Sequence, residues 1–255
     1  MVRGERAGAG GRDHVNVQLR QGMQDLEAER KFYADLFAKN PENEHITSGY
    51  DELHRIALPS PPNGRVLDLG CGTGAHTVRL ARRGCAVIAV DLTREGVKAA
   101  RARLAREGLA GMFIVADAER LPFRDRAVAV GWTFLLLHHF PRLDRLPQEL
   151  ARVVRGRILA LEPNAQNALT WFANNIVNRF VGTEAMTPNQ RALWPRKVAH
   201  SFAGAGYSVS AVHYVDLRWS DSLGWVRGTY DLLTRWLPQR FRANKFLMIL
   251  ERTAS

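Results

Sequence analysis

The stretch VLDLGCGTGAHTVRLARRG, Val66 to Gly84, sets the strongest limit on what this chain can fold into. A short apolar run is followed at once by three glycines within five residues, and then by a helix-spaced segment carrying arginines on its polar side. That is the signature of a strand, a tight turn and a returning helix, and the pattern continues. After the punctuation PSPPNG come strand Arg65 to Leu69, helix Ala75 to Arg83, strand Ala86 to Val90, helix Arg94 to Glu107, and strands Met112 to Val115 and Ala127 to Trp132. A helix striped by Leu143, Leu146, Leu150 and Val153 and a strand Arg157 to Leu161 follow. Alternation of this kind predicts an α/β domain with a doubly wound, mostly parallel sheet and helices on both faces. Farther on, Arg196 to Gly206 reads as helix, Tyr207 to Leu217 as extended, and NKFLMILER as the last strand.

Around this frame, residues 1–24 are Gly/Arg-rich at their start and predict a disordered leader. Residues 25–60 carry apolar spacing at Leu26, Tyr33 and Phe37, a break at KNPENEH, and a second short helix from Tyr50, so they predict an N-terminal helical cap or lid. Residues 61–255 form the main domain, with insertions near 163–195 and 219–244. At 255 residues and 46% hydrophobic the chain can bury one substantial core. No apolar run reaches the roughly 18 residues of a membrane span, and the expected location is cytoplasmic. The two cysteines, Cys71 and Cys85, offer neither a disulfide framework nor a metal cluster, and no metal is expected. Lys and Arg number 36 against 25 Asp and Glu, giving +11, yet no basic tail forms and the arginines fall on helix faces. A solvated Arg-rich surface is favoured over a nucleic-acid interface.

In a doubly wound sheet the first strand–helix turn is the usual ligand cradle, and Gly70, Gly72 and Gly74 occupy it. A merely tight turn would need one or two glycines, so three argue for a bound molecule. A dinucleotide wants G-x-G-x-x-G, whereas here the third glycine comes one residue early and Asp68 stands two residues before the first. A carboxylate there would oppose a pyrophosphate and suit a cationic ligand.

These residues resemble class I S-adenosylmethionine-dependent methyltransferases, whose motif is an acidic residue followed by G-x-G-x-G. VIAVDLT, VADAERLPF and FLLLHHF continue the likeness in order over about 66 to 163. The resemblance implies a Rossmann-like, seven-stranded sheet with an antiparallel last strand, and S-adenosyl-L-methionine as cofactor. It implies that Asp91 takes the two ribose hydroxyls, Leu92 packs on the adenine, Asp117 accepts from the adenine amino group and Ala118 offers its backbone. Asp68 and Thr133 are counted with that site. Asp91 and Asp117 could instead only cap the following helix or turn.

For chemistry, His138 and His139 after strand four and Glu162 after strand five end at the expected cleft. Consecutive strand residues point to opposite sides, so one histidine is expected to face the transferred methyl and assist acceptor deprotonation, and the other to pack or hydrogen-bond behind it. Trp132 stands where the family has a small residue, either narrowing the cleft or turning towards the sheet. Tyr33, His45 and Tyr50 lie in the cap. The signature for methylating base amino groups is missing, which disfavours nucleic acid. Trp225, Tyr230 and Trp236 in the second insertion are expected to shield an acceptor pocket, although their amphipathic stripe could rest on a membrane surface instead. The expected acceptor is a small, fairly hydrophobic molecule methylated at oxygen, as in secondary metabolism. An RNA or protein methyltransferase, and a cofactor-binding protein without turnover, stay open.

Overall fold

The computed structural model describes residues 26–41, 49–177, 190–217 and 224–253. The leader, residues 1–24, His45, and the side chain of Trp225 lie outside the described residues.

Helix α1 spans 26–39 and α2 spans Tyr50–Ala57. The main domain then runs β1 (Arg65–Leu69), α3 (Ala75–Arg82), β2 (Ala86–Asp91), α4 (Arg94–Arg106), β3 (Met112–Val115) and β4 (Val130–Phe134). After a 3-10 turn, Leu137–His139, come α5 (Arg145–Val153), β5 (Ile158–Pro163), α6 (Ala168–Phe172) and a π-helical turn, Ala173–Val177. The chain closes with α7 (Pro195–Ala203), β6 (Tyr207–Val215), α8 (Gly224–Thr234), α9 (Gln239–Arg242) and β7 (Lys245–Arg252).

The strands form one seven-stranded sheet in the order β3-β2-β1-β4-β5-β7-β6. β1 to β5 run parallel to one another, and β7 inserts antiparallel between β5 and β6. The expected doubly wound sheet with an antiparallel last strand is therefore present. Strand alternation divides the core cleanly. Ile158 and Ala160 of β5 join Leu146, Leu150 and Phe202 on one face, while Leu159 and Leu161 join Leu53, Ala57 and Leu80 on the other. Both faces are covered, which is why the central strands read as continuous apolar runs.

Most element boundaries fall within two residues of the sequence reading, but β4 starts at Val130 rather than Ala127 and runs on to Phe134. Arg126 takes a left-handed φ of 54°, and Val128 makes only an isolated bridge to Val154 before the ladder begins. Trp132 turns away from the cleft. It is fully buried, stacked on Phe134 at 4.0 Å and packed on His54 of α2 at 4.3 Å.

His54 Nε2 lies 2.8 Å from His76 Nδ1, which ties α2 to the start of α3. Burial, with Arg79 and Arg83 nearby, pushes the His54 imidazole down to about 3, and His76 is also held well below its ordinary value. A buried neutral imidazole of this kind favours unfolding as pH falls, because the unfolded chain takes up a proton near pH 6.5 that the folded chain refuses until about 3. The stability lost between those values approaches about 1.4 kcal/mol per pH unit. His54→Gln keeps a hydrogen-bonding amide opposite His76 and cannot titrate. Urea unfolding at pH 7 and pH 5 should find the variant losing about 1–2 kcal/mol less than the parent on acidification. Equal losses would remove His54 as the source.

Candidate active site

The sheet reverses its winding direction between β1 and β4, and a cleft of about 300 Å³ opens there, outside the carboxyl ends of the parallel strands. On its β1–β3 side the wall is formed by Gly70, Gly72, Asp91, Leu92, Asp117 and Ala118. Six of the nine residues expected to bind cofactor are thus brought together. The other three are not on the wall.

Asp68 is 2% exposed and accepts the Thr77 hydroxyl at 2.6 Å. Burial pushes its carboxyl up to about 7, so it anchors β1 to α3 behind the turn. Thr133 is fully buried and donates to the Leu159 carbonyl at 3.3 Å, inside the sheet. Gly74 has a left-handed φ of 85°, and a Cβ there would lie 2.8 Å from the Ala100 backbone, so its smallness serves the contact between α3 and α4. The count of three glycines overstated the space left for a ligand. Gly70 backs onto Leu136, and a Cβ on Gly72 would meet the Phe37 ring of α1 at 3.3 Å, although both also line the cleft.

Asp91 ends β2 with one oxygen accepting the Thr93 N–H and hydroxyl at 2.9 and 2.7 Å and the other accepting the Gly72 N–H at 2.8 Å. A carboxylate offers about four lone-pair directions, so Oδ2 retains capacity for an incoming donor. Asp117 caps its own turn through Oδ1, which accepts the Glu119 N–H at 2.9 Å. Capping and ligand contact are compatible at both positions.

The opposite wall begins where β4 ends. Leu135 holds a left-handed φ of 57°, an uncommon conformation for a branched side chain. It is followed by the 3-10 turn, so residues 137–139 do not alternate as a strand would. Both histidine rings line the cleft with centroids 4.2 Å apart, so strand alternation does not separate them. Glu162 of β5 organises this turn. One oxygen accepts the Leu136 and Leu137 N–H groups at 3.0 and 2.7 Å, and the other lies 2.7 Å from His138 Nδ1. Burial pushes the Glu162 carboxyl up to about 7 and holds the His138 imidazole well below its ordinary value. His138 is therefore neutral, with its Nδ1 edge fixed by Glu162.

His139 faces the cap. Its ring meets Tyr33 edge-on with centroids 5.4 Å apart, and Nδ1 lies 3.5 Å from a Glu29 carboxylate oxygen. Tyr33 also accepts from Gln190 at 2.7 Å, so α1 lies along the cleft and lines it with Leu26, Glu29, Tyr33, Leu36 and Phe37. Two groups escaped the sequence reading. Glu29 has the helical spacing of an ordinary solvated acid, yet is only 9% exposed. Lys245, at the start of β7, is 3% exposed, lines the cleft, and is lowered to about 8 by burial against the opposing pull of Glu162. Nothing in NKFLMILER distinguishes it from a strand-edge lysine.

Trp236 is 77% exposed and Tyr230 donates its hydroxyl to the Phe241 carbonyl. Neither lines the cleft, which corrects the expectation that they shield an acceptor pocket. Among the described residues no helix is long and apolar enough to cross a membrane.

Residues 66–157 match the family model described as a methyltransferase domain. The methyltransferase GfsG of Streptomyces halstedii is 34% identical over 121 residues, 46% of this chain and 44% of that protein. The demethylmenaquinone methyltransferase of Beutenbergia cavernae is 37% identical over 127 residues, 47% of this chain and 51% of that protein. The chain thus spans about half the length of these curated relatives. The fold is shared with magnesium protoporphyrin IX methyltransferase from Synechocystis PCC 6803, solved with bound SAH, at a TM-score of 0.64 and 13% identity over 90% of this chain and 100% of that one.

Proposed function

We propose that this chain is a class I S-adenosylmethionine-dependent methyltransferase, as the methyltransferase-domain match over residues 66–157 supports, and that it transfers a methyl group from S-adenosylmethionine to an oxygen of a small, fairly hydrophobic acceptor. The observation that carries the reading is one cleft with Asp91 and Asp117 on one wall and the His138–Glu162 pair on the other. The donor set fits the cofactor: Asp91 keeps lone-pair capacity for ribose hydroxyls, Asp117 lines the same wall and would accept from the adenine amino group, and the backbone at Gly70 and Gly72 leaves the wall without side chains. The cofactor supplies the reactive methyl.

The chain supplies position, water exclusion and a proton acceptor. Leu36, Phe37 and Tyr33 of the lid give the cleft an apolar roof, which suits a ring or alkyl acceptor. Names among the relatives point the same way, including demethylmenaquinone methyltransferase and the magnesium-protoporphyrin O-methyltransferase of Rhodobacter capsulatus. His138 takes the acceptor hydroxyl proton at Nε2, since Nδ1 is committed to Glu162, and the carboxylate stabilises the imidazolium that forms. His139 positions the lid through Glu29 and Tyr33.

Calorimetry with S-adenosylhomocysteine tests the cofactor half. The parent should bind, and Asp91→Ala should bind about 10- to 100-fold more weakly, the equivalent of a charged hydrogen-bond acceptor contributing about 1.5–3 kcal/mol. No binding by the parent would sink the reading.

The catalytic half is read by single turnover with an acceptor drawn from a panel of phenols, quinols and porphyrins. His138→Ala should keep cofactor affinity and lose about 100-fold or more in rate, while His139→Ala loses less. Equal retention of rate in both variants would leave orientation alone as the source of catalysis. Tight RNA binding that falls steeply with salt would favour a nucleic-acid substrate.

A further inference from the structure

The most exposed of the large hydrophobic side chains among the described residues sit at the end of α8 and in the turn after it. Leu232, Leu233 and Trp236 are 63%, 66% and 77% exposed. Leu232 and Leu233 lie in the last turn of α8, and the Trp236 indole donates to the Leu233 carbonyl, which keeps the tryptophan beside them. This face is held firmly. Tyr230 donates to the Phe241 carbonyl at 2.9 Å, which closes α8 onto α9, and the Trp236 indole donates to the Leu233 carbonyl at 2.8 Å. Asn164, next after β5, donates to the Arg240 and Ala243 carbonyls at 2.8 and 2.9 Å, and Gln239 donates to the Tyr214 carbonyl at 2.8 Å. The α8–α9 pair is therefore pinned at the carboxyl end of β5, on the side of the sheet where Pro163 and Lys245 line the cleft.

We propose that this face docks on an anionic lipid bilayer, with Leu232, Leu233 and Trp236 entering the headgroup boundary and the neighbouring arginines meeting lipid phosphates. Charge complementarity selects this occupant. Residues 228–244 contain Arg235, Arg240 and Arg242 against the single acid Asp231, with Arg235 and Arg240 exposed, in a chain of net charge +11. A short stretch with leucines and a tryptophan on one side and arginines around them is the composition of an interfacial helix. Tryptophan favours the headgroup level, and arginine can bury its stem while its charge stays among phosphates. Asn164, which holds the end of α9, follows Pro163 of the cleft lining, so docking would bring the cleft-bearing domain to the boundary where an apolar acceptor gathers. The docking itself does not depend on the proposed reaction.

The test is cosedimentation of the full chain with vesicles of phosphatidylcholine alone and of phosphatidylcholine with phosphatidylglycerol. The parent should partition onto the anionic vesicles and much less onto the neutral ones. The triple variant Leu232→Gln, Leu233→Gln, Trp236→Gln should bind about tenfold more weakly or worse at an unchanged melting temperature. Should the triple variant fold poorly, the emission of Trp236, taken as parent minus Trp236→Phe, supplies the second readout: a blue shift on adding anionic vesicles supports insertion, and no shift overturns it. A parent that stays in solution, or a folded triple variant that binds like the parent, overturns the proposal. So does a parent that is dimeric without vesicles and becomes monomeric in the triple variant, since the face would then belong to a second copy.

Discussion

Glu162→Ala should lower the unfolding free energy by about 3–5 kcal/mol, the range for removing one member of a buried charged or hydrogen-bonded pair. Three groups lose their partner at once: the Leu136 and Leu137 N–H groups and the His138 Nδ1 edge. Glu162 is fully buried, so water does not readily replace the carboxylate. The same turn holds Leu135 at a φ of 57°, a conformation that persists only while its surroundings impose it. Urea unfolding measures the loss, and Glu162→Gln separates shape from charge. The amide oxygen can accept the two N–H groups and the amide nitrogen can donate to His138, so that variant should retain most of the stability. If alanine costs under about 1 kcal/mol, the turn is supported by something other than Glu162.

Gly74→Ala should cost at least about 2–4 kcal/mol, combining left-handed strain with overpacking. Its φ is 85°, and an added Cβ would stand 2.8 Å from the Cα of Ala100 and 2.9 Å from its Cβ. Both obstacles belong to helix backbone or to a side chain with no freedom to rotate away, so α3 and α4 must separate. Thermal unfolding of the variant, beside Gly108→Ala as a control, checks this. Gly108 also has a positive φ, 66°, but nothing lies within 4 Å of its Cβ position. The control carries the strain without the clash, and the difference between the two variants isolates the packing contribution.

The parallel half of the sheet was legible because its strands are buried on both faces and its helices amphipathic, so both periodicities stand out between glycine and proline breaks. Asp91 was legible as a strand-end acid before a helix. Gly74 was misjudged for the opposite reason. A glycine needed for helix contact and one needed beside a ligand look identical in sequence, and only the position of Ala100 distinguishes them. The histidines were assigned by strand alternation, but the chain had already left extended geometry at Leu135. Lys245 was invisible because its contacts come from a strand some eighty residues earlier. The exposure of Trp236 reversed a reading that treated aromatic content as pocket lining.

The order in which the chain supplies the two walls has an evolutionary consequence. One wall, from Gly70 to Ala118, is written in a single unbroken stretch, and the family match covers all of it. The facing wall is collected from the lid helix, the end of β4, Gln190 and the start of β7, most of which lies outside the matched segment. Selection can therefore rewrite the second wall by separate insertions and point changes while the first is copied intact. The segment matched to the methyltransferase-domain model accordingly holds the whole of the first wall and only part of the second.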